Sequence, residues 1–185
     1  MRGGETPSGR LTNAGPDSPA GRVDLLLCLA TAACTAAYGG LKLYWALGGS
    51  GGLRQAPLPP RSIQAALDRE PLAVAGHWIS VSLALVGIGA AIATVHPWGR
   101  KVPRWLLIGP LCTLSALMIL RAVLQAIGDV QRLVHRGVSA PAAYTAGWDL
   151  ALWSPYFLLW GALWGALVLR FARRTRRRRR ATPVQ

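Results

Sequence analysis

Each of four largely apolar stretches of the sequence carries an ionisable residue well within it or at the start of its helix: Lys42, His77, Arg121 and Asp149. A lysine and an arginine can hold an anion such as a phosphate or a carboxylate. A histidine and an aspartate can exchange protons with a bound molecule. Ionisable groups in such surroundings are costly to bury and often mark functional sites. We therefore take these four residues as candidates for a binding or catalytic site.

The stretches that carry these residues have the length of transmembrane helices. About 20 apolar residues cross a hydrocarbon layer of roughly 30 Å, because each residue of a helix rises 1.5 Å. The predicted spans are Val23–Leu47, Leu72–Val95, Trp105–Ile127 and Gly147–Leu169. In an up-and-down arrangement all four ionisable residues fall in one half of the bilayer. The predicted fold is an all-α, polytopic integral membrane protein with an antiparallel four-helix transmembrane bundle.

The segments outside the spans predict the domain organisation. Residues 1–22 are rich in Gly, Pro, Ser and Arg, which is typical of a disordered tail. Residues 23–171 form the predicted transmembrane domain, and residues 172–185 a basic tail. The connection between the second and third spans is short, so these helices are expected to pack as antiparallel neighbours. In the preceding loop, Ser62 is expected to cap a short helix that ends at Leu67, on the membrane surface or over the bundle.

The net charge of +14 is concentrated outside the spans, with eight arginines between Arg170 and Arg180. We interpret this run as a topology signal that contacts anionic lipid heads, and we expect no nucleic-acid partner. With the N-terminus in the cytoplasm, fourteen Lys and Arg residues lie on the inner side and five in the outer loops. The positive-inside rule thus predicts a multi-pass plasma-membrane protein with both termini cytoplasmic.

The sequence contains no familiar motif for a metal, a cofactor or a nucleophile. Cys28, Cys34 and Cys112 all lie in apolar stretches, and no C-x-x-C occurs, so we expect buried thiols. His77 and His96 lie near opposite ends of one predicted helix, which does not suit a haem held between two helices. We expect no metal and no cofactor, and the sequence leaves open whether the protein is an enzyme.

Arg121 belongs to a polar stripe, because Gln125 and Asp129 follow it at steps of four residues on one helix face. Such a stripe favours an orientation toward the protein interior. The alternative is snorkelling, in which the long side chain reaches the lipid head groups. The same two alternatives stay open for Lys42, which shares a face with Tyr38 and Trp45.

His77 and Asp149 also have structural interpretations. An isolated histidine is more often a hydrogen-bonded packing residue than a metal ligand or a proton carrier. Asp149 opens the fourth predicted helix, where a carboxylate stabilises the positive helix end; alternatively, it is the counter-charge of Arg121 or Lys42. Two cations against one carboxylate predict a positive pocket for an anion, unless Asp129 folds inward.

An aromatic stripe and two sets of small residues complete the candidates. Trp153, Tyr156 and Trp160 follow Asp149 on one face and form either packing or a wall for a flat apolar ligand. The small residues at steps of four are typical of close helix contacts. They are Ala32, Ala36 and Gly40 in the first span and Gly161 and Gly165 in the fourth. The last two are the predicted contact for a partner helix.

The string from Tyr38 to Gly49, YGGLKLYWALGG, together with the late pair Trp148 and Asp149, resembles a family of small bacterial membrane proteins. That family is catalogued as a domain of unknown function, family 3995. The resemblance covers roughly residues 23–170 and implies a four-helix integral membrane protein without an assigned activity. It supplies no catalytic residues.

Three functions are compatible with these features. The first is a membrane protein that binds a lipid or amphiphile at an outer-leaflet pocket, where Arg121 and Lys42 contact an anionic group and Asp149 balances the charge. The second is a small membrane enzyme that acts on a lipid or isoprenoid, with His77 and Asp149 as acid and base. The third is a structural subunit of a larger membrane complex.

Overall fold

The computed structural model describes residues 18–135 and 139–181. Throughout these residues the chain forms helices and connecting turns, with no β-strand. The helices are α1 (Pro19–Ala46), α2 (Pro60–Leu67), α3 (Pro71–Val95), α4 (Arg104–Val134), α5 (Ala140–Trp148) and α6 (Ser154–Ala181). A π-helical turn, Asp149–Trp153, joins α5 to α6, and short 3-10 helices, Leu53–Gln55 and Pro97–Lys101, lie in two connections.

Four helical stretches are long and apolar enough to cross a membrane: α1, α3, α4 and the continuous run from α5 into α6. The predicted fold class is therefore confirmed, and the chain is a multi-pass membrane protein. Two helices extend beyond the predicted spans, because α4 continues past Ile127 to Val134 and the fourth stretch begins at Ala140 rather than Gly147. At 1.5 Å per residue, the 31 residues of α4 extend well beyond a hydrocarbon layer of about 30 Å.

The first and last helices reach into the predicted tails. Pro19 is the first residue of α1, where its fixed φ suits a helix start, and the Ser18 hydroxyl accepts a hydrogen bond from the Gly21 amide at 3.1 Å. Residues 19–22, predicted as tail, are thus helical. At the other end α6 continues to Ala181. The rest of the two predicted tails, residues 1–17 and 182–185, lies outside the described residues.

The small helix α2 folds over one end of the bundle. Pro59, and not the predicted Ser62, is the N-cap residue of this helix. Ile63, Ala66 and Leu67 pack against the core, which places α2 over the bundle rather than on the membrane surface. We call the end where α1 and α4 finish the α2 end. The opposite end, where α1 begins and α6 finishes, is the terminal end.

Indole groups hold the connection between α1 and α2 in place at the α2 end. Trp45 donates from Nε1 to the Gly51 carbonyl at 2.8 Å, and Trp153 donates from Nε1 to the Gln55 carbonyl at 2.6 Å. Leu53 between them is 2% exposed. The glycine-rich start of this loop is therefore an ordered cover of the bundle.

The four spanning stretches form two tight pairs, α1 with α3 and α4 with α6, and α1 also contacts α6. Although α3 and α4 are consecutive, they make almost no contact, and an apolar cleft of about 760 Å³ lies between them. The prediction that these helices pack as neighbours is wrong. The short connection fixes only their ends at the terminal end, whereas each helix packs along a different partner.

Glycine residues allow the two helices of each pair to pack closely. A Cβ atom placed on Gly39 would lie 2.8 Å from the Cβ of Ala84 on α3. The predicted ladder in α1 is therefore displaced by one residue, since Gly39 is buried and Gly40 has no neighbour within 4 Å of its Cβ position. Such close approach lets the backbones of α1 and α3 make van der Waals contact along the pair.

Gly161 and Gly165 face α4 of the same chain. A Cβ on Gly161 would lie 2.8 Å from Cγ1 of Ile119, and one on Gly165 would lie 2.9 Å from Oγ of Ser115. Ser115 also donates from Oγ to the Gly161 carbonyl at 2.7 Å. The face predicted to bind a partner helix is thus in contact with α4 of the same chain.

An ion-pair cluster closes the terminal end. Asp24, which is 3% exposed, accepts from Nε of Arg170 at 2.5 Å and pairs with Nη1 of Arg174 at 2.8 Å. Arg174 also donates from Nη2 to the Thr94 carbonyl at 3.1 Å. This cluster links α1, α6 and α3, so two arginines of the basic run hold the bundle together in addition to any role in topology.

Replacing Gly161 with leucine should destabilise the α4–α6 pair. The added side chain meets Ile119 and the Ser115 carbonyl, and overpacking of this kind costs about 1–3 kcal/mol. Gly40→Leu is the matched control, because its Cβ position is open. The measurement is the free energy of unfolding in detergent; equal losses for the two variants would contradict the packing described above.

Replacing Arg174 with glutamine should lower the free energy of unfolding by about 1.5 kcal/mol, the lower end for a hydrogen bond to a charged group, because Arg174 is partly exposed. Arg173→Gln on the same helix is the control, since Arg173 is exposed and makes no ion pair among the described residues. Denaturant titration followed by circular dichroism measures both. An equal effect of the two changes would remove the cluster as a stabilising feature.

Candidate functional site

The apolar cleft between α3 and α4 is the first feature of the site. Its side walls are formed by α3 and α4, and its back wall by aromatic residues of α1 and α6: Tyr38, Phe157, Trp160 and Trp164. Trp98 and Val102 close it at the terminal end. The lining is almost wholly apolar, so the cleft suits a hydrocarbon group and offers little to a polar ligand.

Basic residues surround the opposite limit of this cleft, toward the α2 end. The last cleft-lining residues on α1, α3 and α4 are Tyr38, Ser80 and Met118. One helical turn closer to the α2 end, on the same three helices, lie Lys42, His77 and Arg121. We call these three residues the basic rim. The structure therefore brings three of the four candidate residues to one level beyond the cleft, although none of the three lines either the cleft or the second cavity described below.

Arg121 is directed into the bundle. The Cζ atom of its guanidinium lies 4.0 Å from the centroid of the Phe157 ring, a cation–π contact. Its Nη1 is buried and has no hydrogen-bond partner among the described residues. Arg121 thus adopts the interior orientation rather than snorkelling. Phe157 was not singled out in the sequence because nothing in its spacing marks it as the partner of a cation.

Lys42 is also directed inward, with 8% of its surface exposed. Its Nζ lies 4.7 Å from the Trp45 ring centroid and 5.3 Å from that of Tyr38. Aromatic faces therefore hold both cations of the rim, and no carboxylate forms an ion pair with either within residues 18–135 and 139–181.

His77 is 7% exposed and packs against Trp45, with 5.5 Å between the ring centroids. Its Nε2 is buried and has no hydrogen-bond partner in the described part of the chain, so the expected hydrogen bond is not seen at this atom. Neither a hydrogen bond nor an ion pair joins His77 to Asp149 in the same residues. The structure does not assemble the acid–base pair on which the enzyme hypothesis rests.

Asp149 lies inside a continuous helical run, and the prediction that it opens a helix is wrong. It begins the π-helical turn that precedes Pro155, a residue without an N–H; a wider turn accommodates the proline ring in mid-helix. Asp149 is 2% exposed. Its Oδ2 accepts from Oγ of Ser154 at 3.2 Å, and its Oδ1 has no hydrogen-bond partner among the described residues.

The predicted ion pair between Arg121 and Asp149 is not formed in the described structure, since none of its ion pairs joins them. Arg121 is nevertheless close enough to Asp149 to act on its carboxyl electrostatically. Competition explains the arrangement: the guanidinium stacks on Phe157 while Ser154 supplies one hydrogen bond to the carboxylate. Each group retains one unpaired atom, Nη1 on the arginine and Oδ1 on the aspartate.

A second cavity, of about 970 Å³, lies at the α2 end, and we call it the vestibule. Its walls come from the segment leading into α2, the last turns of α4, and α5; its charged lining residues are Arg54, Arg132, Asp129 and Asp149. Asp129 is 1% exposed and accepts from Arg132 at 3.1 Å and from Gln125 at 3.4 Å. Asp129 thus folds inward, which is the exception that the sequence left open, and it does so paired with Arg132.

The aromatic stripe of α6 and its π turn serves mainly to attach α6 to neighbouring segments. Tyr156 donates from its hydroxyl to the Cys34 carbonyl, and Trp160 donates from Nε1 to Thr35 Oγ1 at 3.0 Å. Trp153 and Tyr156 line neither cavity, whereas Trp160 lines the cleft. Packing therefore accounts for the first two residues, and the aromatic wall that a ligand would meet includes Phe157 instead.

Fold and site together define a four-helix membrane protein with a lateral apolar cleft and with buried charged groups one helical turn beyond its lining. The family described as "Protein of unknown function (DUF3995)" matches residues 35–164, and the chain belongs to this family, as the string around Lys42 predicted. No curated protein and no solved structure matches the chain. The matched segment contains the cleft's back wall, the basic rim and both vestibule carboxylates.

The contact between Arg121 and Phe157 can be measured with a double-mutant cycle. Combining Arg121→Met with Phe157→Leu should give a coupling of about 0.5–2 kcal/mol in the free energy of unfolding, because each single change removes the same cation–π contact. The control pairs Arg121→Met with Leu158→Ala, since Leu158 is 46% exposed. Equal coupling in the two cycles would show that the guanidinium does not stack on the Phe157 ring.

Proposed function

We propose that the protein binds an amphiphile from the bilayer, with its hydrocarbon tail in the cleft and a negatively charged head group at the basic rim. The observation that carries this proposal is the order of the two features along the bundle. An apolar cleft between spanning helices ends one helical turn before Lys42, His77 and Arg121. The hydrocarbon tail of one molecule would contact the apolar cleft, and its charged head group would contact the basic rim.

The cleft supports the tail half of the proposal by its position and lining. It lies between α3 and α4, in the part of the chain that spans the membrane, where lipid tails are the surrounding solvent. Its volume of about 760 Å³ is in the range of small-molecule sites, which are mostly apolar with a few polar groups at one place. A tail that enters sideways from the bilayer keeps apolar surroundings throughout.

The two rim cations support the head half of the proposal. Lys42 and Arg121 are held by aromatic rings rather than by carboxylates, and Nη1 of Arg121 has no partner in the described residues. A phosphate or carboxylate oxygen accepts charge-assisted hydrogen bonds from such groups. The head group would thereby relieve the cost of the buried guanidinium.

Cellular placement completes the proposal. The excess of Lys and Arg in the segments at the terminal end favours a plasma-membrane protein with both termini in the cytoplasm. In that orientation the basic rim lies in the outer leaflet, and the bound amphiphile is drawn from there.

Filling the cleft should reduce lipid binding. Gly89 lines the cleft and has no neighbour within 4 Å of its Cβ position, so Gly89→Phe starts a side chain in open space and directs a ring at the cleft. Displacing two methylene groups of a tail costs about 1.6 kcal/mol, which corresponds to roughly a tenfold loss of affinity. Native mass spectrometry of the protein in mild detergent measures the retained lipid.

Gly76→Phe is the matched control for this experiment, because Gly76 lies on the same helix, is equally open and does not line the cleft. Arg121→Gln tests the head group and should reduce the retention of lipids with anionic heads. If Gly89→Phe retains as much lipid as Gly76→Phe and the wild type, the tail does not bind in the cleft and the proposal is wrong.

A further inference from the structure

Arg121 lies between two cavities. On α4, Met118 lines the cleft, Arg121 follows three residues later, and Gln125, four residues further on, lines the vestibule. These three positions share one helix face. A molecule whose tail lies in the cleft and whose head reaches Arg121 therefore points its outer end toward the vestibule.

The vestibule presents a buried acceptor at that point. Asp149 lines it, is 2% exposed, and has an Oδ1 without a hydrogen-bond partner among the described residues. Asp129, 1% exposed, lines the same cavity, but both of its carboxylate oxygens accept hydrogen bonds from Arg132 and Gln125. An ionised carboxylate oxygen can only accept, so the group that fits here is a hydrogen-bond donor, preferably one with positive charge.

The charges that line the vestibule are Arg54, Arg132, Asp129 and Asp149, and Asp129 is paired with Arg132. Asp149 is therefore the vestibule carboxylate without an ion pair among the described residues. A free anion at Arg121 would be repelled by the carboxylate of Asp149, and a free cation at Asp149 would be repelled by Arg121, which acts electrostatically on this carboxyl. A head group that carries a negative and a positive group in sequence satisfies Arg121 and Asp149 at once.

We infer that the bound amphiphile is zwitterionic, with a phosphate at Arg121 and Lys42 and a primary amine in the vestibule at Asp149. A phospholipid with an ethanolamine head has these groups in this order. Its ammonium donates hydrogen bonds to Asp149 Oδ1, which a trimethylated choline head cannot do and a glycerol head does without charge. This inference rests on the proposed function, since the tail in the cleft sets the position of the head.

The test is a competition among phospholipids that share the same acyl chains. Phosphatidylethanolamine, phosphatidylcholine and phosphatidylglycerol are added in equal amounts to the full-length protein in mild detergent, and native mass spectrometry measures the occupancy of each. The ethanolamine lipid should exceed each of the other two by about tenfold, the discrimination expected of a charge-assisted hydrogen bond. Equal occupancy by the three lipids overturns the inference, and this comparison needs no variant.

Asp149→Asn removes the charge at nearly constant size and should bring the ratio of ethanolamine to glycerol lipid close to one. Asp68→Asn is the matched control, because Asp68 is exposed and lines neither cavity; the ratio should stay as in the wild type. An unchanged ratio in Asp149→Asn contradicts the assignment of the amine to this carboxylate.

A further competition experiment distinguishes failure of this inference from failure of the proposed function. Glycerophosphoethanolamine has the same head without tails and should compete at least tenfold less well than the lipid, because it gains nothing from the cleft. If it competes as well as the lipid, the cleft does not bind the tail and the proposed function fails. If all tailed lipids bind alike and Gly89→Phe weakens each of them, the proposed function stands and only the inferred head group is wrong.

Discussion

Polar groups on a membrane helix have no water to bind, so they must find partners inside the protein, and this requirement sets the arrangement of the bundle. On α1 the buried face carries small, polar and ionisable residues at helical spacing: Asp24, Cys28, Thr31, Thr35, Gly39 and Lys42. Thr35 receives the indole N–H of Trp160, Asp24 binds α6, and Gly39 meets α3. One face of α1 thus determines where both α3 and α6 lie.

The two ends of the bundle meet this requirement differently. At the terminal end a carboxylate pairs directly with two arginines, and Arg174 uses a further N–H on the Thr94 carbonyl, although its Nε has no partner among the described residues. At the α2 end aromatic rings contact the cations, and no ion pair joins Lys42, Arg121 or Asp149 to another described residue. Ion pairing thus links the helices at the first end, and aromatic contacts do so at the second.

Helix number and class were predictable because length and apolarity decide them residue by residue, whereas the pairing of helices depends on contacts between distant residues. For Lys42 the sequence does contain a signal. Asp24, Thr31 and Thr35 lie on the same face of α1 as Lys42, and a polar face of this kind favours an interior orientation of the lysine over snorkelling. No local sequence pattern predicts that α3 and α4 lie apart. Their separation follows from the close contacts of Gly39 with α3 and of Gly161 with α4, which pair each of these helices with a different partner. The π turn at Asp149 likewise depends on the strain that Pro155 imposes within a continuous helix. From the sequence alone, a carboxylate at the start of an apolar stretch predicted a helix start at Asp149 instead.

The contact of Arg121 with an aromatic ring affects the site differently from an ion pair with a carboxylate. A carboxylate bound directly to Arg121 would neutralise it and occupy the N–H groups that a ligand needs. The contact between the Phe157 ring and the guanidinium uses no hydrogen-bonding group, and Nη1 has no partner among the described residues. Phe157 also lines the cleft, so one side chain contacts both the cleft and the cation. In the proposed function, recognition of the tail and of the head would thus meet at a single side chain, so that an apolar cleft and a buried charge could serve one ligand.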